Sequence, residues 1–532
     1  MDFEFREIPR RLFGPDFAPP GYLVARWLFV RALGLIFFSA FYSLAYQIRG
    51  LIGPKGVLPA QDYLGQVTRV LGSARFWYAP TLFWWSASDH FLLGVVIAGM
   101  VASLLLAFNV WPRGMLAICL VSFLSFIAAA QDFASYQSDG MLLEAGFISL
   151  FIAPSGWRPR WGSSEPPSRA SRYMLLWLMF RIYFESGIAK ILGHDPEWRD
   201  FTAMDQYYQN GPLPTWIAWY AHQLPHSFHA ATAILVLALE LVLIFAIFLP
   251  RRSRIVLFFV ITAWQIGIIL TSNYAFLNYI VLGLGFLLLD DKFLARILPQ
   301  SFGSAALAST AARAAGLGPA ESPEHDLRSS LHLSVQAIFL TWIFYVTLAL
   351  LLFMPFPRAP LPWGPIRALE PFRIANEFGL FAVMTRARYE IEFQGSLDGQ
   401  TWTAYPFRNK PQDLHAPPRI YAPYQPRFDW NLWFASLGNW RQYPFVLNVE
   451  ERLLSGEPDV LSLFAGNPFQ GHPPDEIRVV LWQYWFTGWR EKREQGLWWR
   501  REQIGLYGPT LERTPDGKFA VLDMPDTPSK IQ

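Results

Sequence analysis

The stretch AATAILVLALELVLIFAIFLPRRSRIVLFFVITAWQIGIIL, residues 230–270, decides the fold. Two apolar runs, 230–249 and 255–270, flank a turn carrying Arg251, Arg252 and Arg254, and the only charge inside either run is Glu240. A bilayer's hydrocarbon core is about 30 Å thick and is crossed by about 20 apolar residues of helix, so such runs read as membrane helices. Working outward, seven more lie near 22–47, 88–109, 114–131, 140–153, 174–192, 274–289 and 333–354. About nine spans are expected, some of them re-entrant. The run at 140–153 is too short to cross unaided, and only Thr271, Ser272 and Asn273 separate 255–270 from 274–289.

Composition agrees with a lipid solvent. Apolar types make up 53% of the 532 residues and charged types 16%, against about 45–50% and about 25% in soluble domains. Residues 358–532 hold 40 of the 85 charges, so the last third is read as lying in water. The expected organisation is a transmembrane helical domain over 1–357, with a flexible linker at 297–330, followed by an extracytoplasmic α+β domain over 358–532. The linker rests on the Ala, Gly, Ser and Pro content of 301–323. A net charge of +3 gives no support to a nucleic-acid partner. One cysteine, Cys119, excludes an internal disulfide and any multi-cysteine metal site.

Basic residues orient the chain, because loops retained in the cytoplasm carry excess Lys and Arg. With the N-terminus inside, 15 fall in inside segments, among them Arg10, Arg11, Arg113, Arg158, Arg160, Arg251 and Arg252, against five in outside loops: Arg49, Lys55, Arg69, Arg75 and Arg199. No cleavable signal is evident, and the first span is expected to remain as an anchor.

In the tail, Tyr389, Ile391 and Phe393 alternate with polar residues, Asp398-Gly399 gives a turn, and Trp402 to Phe407 returns, which predicts a hairpin. A second strand is expected at 477–486, with helices at 430–440 and 449–464, the latter stopped by Asn467-Pro468.

Ionisable groups at membrane depth are costly and therefore functional candidates. Asp139, Glu144, Arg181, Glu185, Lys190 and Glu240 are expected to form one buried polar cluster, with Arg181 and Glu185 four apart on one helix face. Two readings stay open: ion pairs that fix helix packing, or a water-filled catalytic or transport cavity in which Lys190, Glu185 and Glu240 are the catalytic candidates. His222, His226 and His229 approach metal-ligand spacing, but Pro225 interrupts it and no HExxH accompanies it, so no metal is expected. No GxSxG, Walker A or dinucleotide motif occurs, and no cofactor is expected. Trp198, Tyr207, Tyr208, Trp216 and Trp219 in the loop 194–229, with Trp430, Trp433, Phe434 and Trp440 in the tail, form a client- or lipid-binding surface if exposed and a core if buried.

Six blocks in one order resemble the lipase maturation factor family: LIGPKGVLP (51–59), SDGMLLEAGF (138–147), GIAKILGHDPEWRDFTAMDQYYQNGPLP (187–214), NYAFLNYIVLGLGFLLLDD (273–291), RFDWNLWFASL (427–437) and LSLFAGNPFQGHPP (461–474). The resemblance implies a polytopic membrane protein that helps exported clients, lipases among them, to fold or assemble, in contact with membrane lipid. Animal members sit in the endoplasmic reticulum. This chain has no Asn-x-Ser/Thr sequon and carries 37 Arg against 7 Lys, which reads instead as a bacterial plasma or inner membrane. A second, local resemblance links GIAKILGHDPEWRDFTAM (187–204) to the vitamin K-dependent carboxylases and related multi-span proteins. It implies an alternative function, a membrane enzyme using Lys190 as base on a quinone-like or lipid substrate.

Overall fold

The computed structural model describes residues 11–14, 21–134, 136–162, 165–299, 308 and 327–525; most of the expected linker at 297–330 lies outside them. Helices α1 (Leu23–Ile52), α2 (Asp89–Ala107), α3 (Pro112–Ile127), α4 (Gln137–Ser149), α5 (Arg169–Leu192), α6 (His226–Leu241), α7 (Arg251–Thr271), α8 (Leu277–Gly285) and α9 (Leu327–Phe353) run alternately between two ends of a bundle. Five helical stretches among the described residues are long and apolar enough to cross a membrane: α1, α2, α6 with its extension to Phe248, α7, and 333–353 of α9. That is fewer than the nine expected. α3 and the 277–288 segment are apolar but short, α4 has 13 residues, and α5 carries charges. α6 and α7 bury only 28% and 17% of their most apolar windows, leaving Leu235, Val256, Phe259 and Ile266 outward, as helices solvated by lipid do. The chain is an integral membrane protein.

The two ends of the bundle differ chemically. At one end Asp291 accepts from the Leu23 and Val24 N–H groups (3.0 and 2.9 Å), filling orphan donors at the start of α1. Arg113 donates to the Ala153 carbonyl (2.8 Å), Arg172 to the Leu287 carbonyl (3.2 Å), and Arg251 pairs with Asp290. At the other end the turns between helices meet the C-terminal region: Asn448 donates to the Val57 carbonyl (3.0 Å) and Arg427 to the Phe133 carbonyl (2.7 Å).

The C-terminal region folds around a six-stranded antiparallel sheet: β1 (Arg388–Ser396), β2 (Thr403–Ala404), β3 (Glu476–Phe486), β4 (Trp499–Leu506), β5 (Thr510–Arg513) and β6 (Phe519–Asp523). Its order is β2-β1-β3-β5-β6, with β4 also pairing β3. The expected hairpin is β1–β2, in register Gln394↔Ala404, and Asp398 ties its turn by accepting from the Gln400 and Thr401 N–H groups (2.9 and 2.7 Å). Helix α10 (Arg427–Ser436) begins three residues before the predicted start. The helix expected over 449–464 is displaced and broken: α11 (Phe445–Leu454) ends before Gly456 at φ +65°, and a separate turn, Pro458–Leu461, follows. A glycine in the left-handed region stops a helix, and Pro458 starts the next turn because its missing N–H is not needed there.

Candidate functional site

The polar residues flagged in the spans are buried, Glu240 only partly, but they form three sites rather than one. In the first, Arg181 pairs with Glu144 from α4 and, at 3.6 Å, with Glu185 one turn along α5. One guanidinium faces two carboxylates, and the missing donors come from a strap of chain just before β1. The Asn376 N–H and side-chain amide donate to Glu144 (3.0 and 3.1 Å), and the Phe378 N–H donates to Glu185 (2.8 Å). Arg181 in turn donates to the Asn376 carbonyl (2.7 Å). Each of the three charged side chains gains an opposite charge and a strap partner, as burial of charge requires, while Arg181 Nε and Glu185 Oε1 close no hydrogen bond.

The second site lies further along α5. Lys190 pairs with Glu240 of α6 at 2.9 Å and donates to the Leu380 carbonyl at 2.8 Å, while the Leu380 N–H donates to Ser186 (3.2 Å). The Met384 N–H continues the strap onto Asp195. The strap therefore tracks α5 from Arg181 to the loop beyond it. In the third site, Asp139 receives both terminal nitrogens of Arg427, at 2.7 and 2.8 Å, a bidentate pair joining α4 to α10. Sequence reading placed Asp139 with Arg181 and Lys190. Its partner instead comes from a residue 288 positions away.

Other rivets were not predicted at all. Arg388, fully buried, donates to the Gln209 and Pro212 carbonyls (3.1 and 3.0 Å) and pairs with Glu390, which also holds Lys410 at 2.9 Å. Asn273, in the turn between α7 and α8, donates to the Leu213 and Arg419 carbonyls (3.1 and 2.8 Å) and accepts from the Tyr421 N–H (2.7 Å). Arg427 stood within a recognisable block, but nothing in the sequence tied it to Asp139.

The aromatic candidates are mostly core. Trp198, Tyr208, Trp219, Trp430 and Trp433 are buried, Tyr207, Phe434 and Trp440 are half-buried, and Trp216 is exposed. Trp219 is enclosed because its indole N–H donates to Thr487 (3.2 Å) and its ring meets Trp489 and Trp498 edge-on, which fastens loop 194–229 to the sheet domain. Of the histidines, His226 and His229 share the Asp205 carboxylate at 2.8 and 2.7 Å. Burial lowers the His222 pKa, with His229 adding to the effect.

Beside Lys190 and Glu240, a cavity of about 400 Å³ opens between α5, α6, α7 and α8 under the strap. Trp198, Tyr207, Tyr208, Tyr274, Gln265 and Asn278 contribute to its wall, so candidates from two separate classes meet there; Glu185 is not among them. Lys190 is held by a carboxylate and a carbonyl, which does not suit a free base. The catalytic reading of Glu185, Lys190 and Glu240 as one group is not realised by this arrangement.

Comparison with known proteins follows this architecture. A family model described as the lipase maturation factor transmembrane domain matches residues 24–296, and one described as the lipase maturation factor C-terminal domain matches 374–509. The second match begins at the strap. Lipase maturation factor 1 of Bos taurus is 31% identical over 510 residues, covering 92% of this chain and 89% of the relative. Lipase maturation factor 2 of Gallus gallus is 30% identical over 609 residues, covering 94% and 84%. The protein of the same name from Homo sapiens is 30% identical over 604 residues. No solved structure matches. The resemblance of the Lys190 stretch to carboxylases gains no support from these relatives. Because both halves of the architecture, the helical bundle and the sheet riveted to its end, are matched in order, the chain belongs to the lipase maturation factor family.

Proposed function

We propose that this chain is a membrane-integrated helper that brings exported protein clients, lipases foremost, to their folded or assembled state. The observation that carries the reading is the ordered match of both domain models, with relatives named as lipase maturation factors covered over 84% or more of their length. Client contact is assigned to exposed aromatics at the sheet end of the bundle: Trp216, Tyr220 and Trp489, with ring centroids 6.0 Å apart for Trp216 and Tyr220 and 5.6 Å apart for Tyr220 and Trp489. Exposed aromatic clusters offer large contact area at small entropic cost. Of the aromatics flagged in the sequence, Trp198, Tyr208, Trp219, Trp430 and Trp433 are too enclosed to meet a client.

The same proposal includes a topology of nine passes, N-terminus in the cytoplasm and sheet domain outside, in a bacterial plasma or inner membrane. Support comes from the alternation of α1 to α9 and from Arg113, Arg172 and Arg251 gathering at the end opposite the sheet. The short helices α3, α4 and α8 cross in this reading because neighbours bury them. Alkaline phosphatase fused after Gln532 is expected to be active; fluorescence of a C-terminal reporter confined to the cytosol would overturn the topology.

Deleting the chain from its native host is expected to lower the specific activity of at least one exported lipase. The wild-type chain should restore it, and a Trp216→Ala/Trp489→Ala variant present at equal level should not. Unchanged activity of every exported lipase in the deletion strain would sink the proposal.

A further inference from the structure

The cavity beside Lys190 has features that packing alone does not require. Its volume is about 400 Å³. That falls within the roughly 300–1,000 Å³ of ordinary small-ligand pockets, room for one chain and not for a two-chain phospholipid. Most of its wall is apolar, from Ile182, Met204, Val236, Trp264 and Phe381. The Asp, Glu, Lys and Arg side chains on the wall are Lys190 and Glu240, and they pair with each other at 2.9 Å. The site is therefore electrically balanced. An anionic head would have to compete with Glu240 for Lys190, and a cationic head with Lys190 for Glu240, each at the cost of an unpaired buried charge.

Neutral hydrogen-bonding groups remain. Tyr274 is 4% exposed, and its buried hydroxyl has no partner in full hydrogen-bond geometry. A buried hydroxyl of this kind gains from a ligand oxygen or hydroxyl. The cavity also has a way in from lipid. Ala263, Gly267 and Thr271 stand at successive turns of α7 on its wall, facing Thr232 and Leu235 of α6, and no atom lies within 4 Å of where a Cβ on Gly267 would sit. α6 packs on α5, and α7 packs on α8 and on the 243–248 extension of α6.

We propose that this cavity binds one neutral single-chain amphiphile from the surrounding membrane, of the monoacylglycerol class, with its hydroxyl-bearing head near Tyr274 and the Lys190–Glu240 pair and its chain among the apolar walls. Binding is non-covalent and independent of the client reading.

The test uses the full chain in nanodiscs and a monoacylglycerol carrying a photoreactive diazirine on its chain. Labelling is expected on peptides containing 232–240 and 263–271, and it should be displaced by unlabelled C12 monoacylglycerol but not by equal lauric acid or lauryl phosphocholine. Gly267→Phe fills the mouth where space is open and should reduce labelling at least tenfold without lowering the melting midpoint. Tyr274→Phe should weaken binding about fivefold, the worth of one hydrogen bond. Labelling that does not saturate, that survives Gly267→Phe, or that lauric acid displaces equally well would overturn the proposal. Loss of lipase activity in the deletion strain would stand unaffected by any of these outcomes.

Discussion

At the scale of single residues, this protein is held together by buried charges whose partners are distant in sequence. Arg427 and Asp139 are both almost fully buried, and removing one member of such a pair strands the other. Arg427→Met is therefore expected to cost about 3–5 kcal/mol, read as a lowered melting midpoint in detergent, whereas Asp139→Leu/Arg427→Met should recover much of that loss. A double variant no more stable than the single one would show that the pair carries nothing beyond packing. Asp429, on α10, differs because its carboxyl is displaced by its surroundings. Burial raises its pKa from 3.8 to about 6, partly opposed by a hydrogen bond from Asn409 and by the Lys410 charge. Between those two pH values the folded chain holds a proton that the unfolded chain has released. Stability must then fall as pH rises from about 4 to about 6 and stay level above, by up to about 3 kcal/mol from 1.36 kcal/mol per pH unit. Asp429→Asn should flatten that part of the profile, and an unchanged slope in thermal unfolding across pH 4 to 7 would refute the assignment.

At the scale of elements, close helix contact and the strap set the geometry. A Cβ on Gly34 of α1 would lie 2.8 Å from the Ala107 nitrogen and 2.9 Å from the Ser103 carbonyl oxygen, both backbone atoms of the α2 end that cannot yield. Small residues allow such approach between membrane helices. Gly34→Val is expected to cost about 1–3 kcal/mol by overpacking, while Gly94→Val, on α2 where nothing lies within 4 Å, should leave the melting midpoint unchanged. Equal effects from the two would remove the packing explanation. The strap is a different kind of element. It has no regular structure, yet its N–H groups at 376, 378, 380 and 384 each meet a side chain of α4, of α5 or of the loop beyond. Buried irregular backbone is tolerated here because the polar side chains beneath it satisfy its N–H groups.

At the scale of the whole molecule, the bundle and the sheet are energetically one object. Asp139, Glu144 and Glu185 receive donors from residues 376–427, and loop 194–229 is fixed by Arg388 and Thr487. A chain ending at residue 357 would bury three carboxylates without those donors. It should fail to accumulate in membranes, or accumulate only as a protease-sensitive form, as judged by immunoblot after limited proteolysis. Recovery of a protease-resistant 1–357 bundle would show that the two parts are separable.

The sequence by itself determined the solvent, the family and the list of expensive polar residues. Length and apolarity of a run are local properties, and Lys190, Glu240, Arg181 and Asp139 declare their cost wherever the spans lie. Apart from Arg181 and Glu185, four apart on α5, tertiary structure alone decided who pairs with whom. The partners of Glu144 and Glu185 include backbone N–H groups, which every non-proline residue carries and no sequence pattern marks, and Arg427 reaches Asp139 across 288 positions. It also decided which aromatics are core. Trp219 and Trp216 look alike in sequence, but the sheet domain covers one and leaves the other bare, because burial is set by what folds on top.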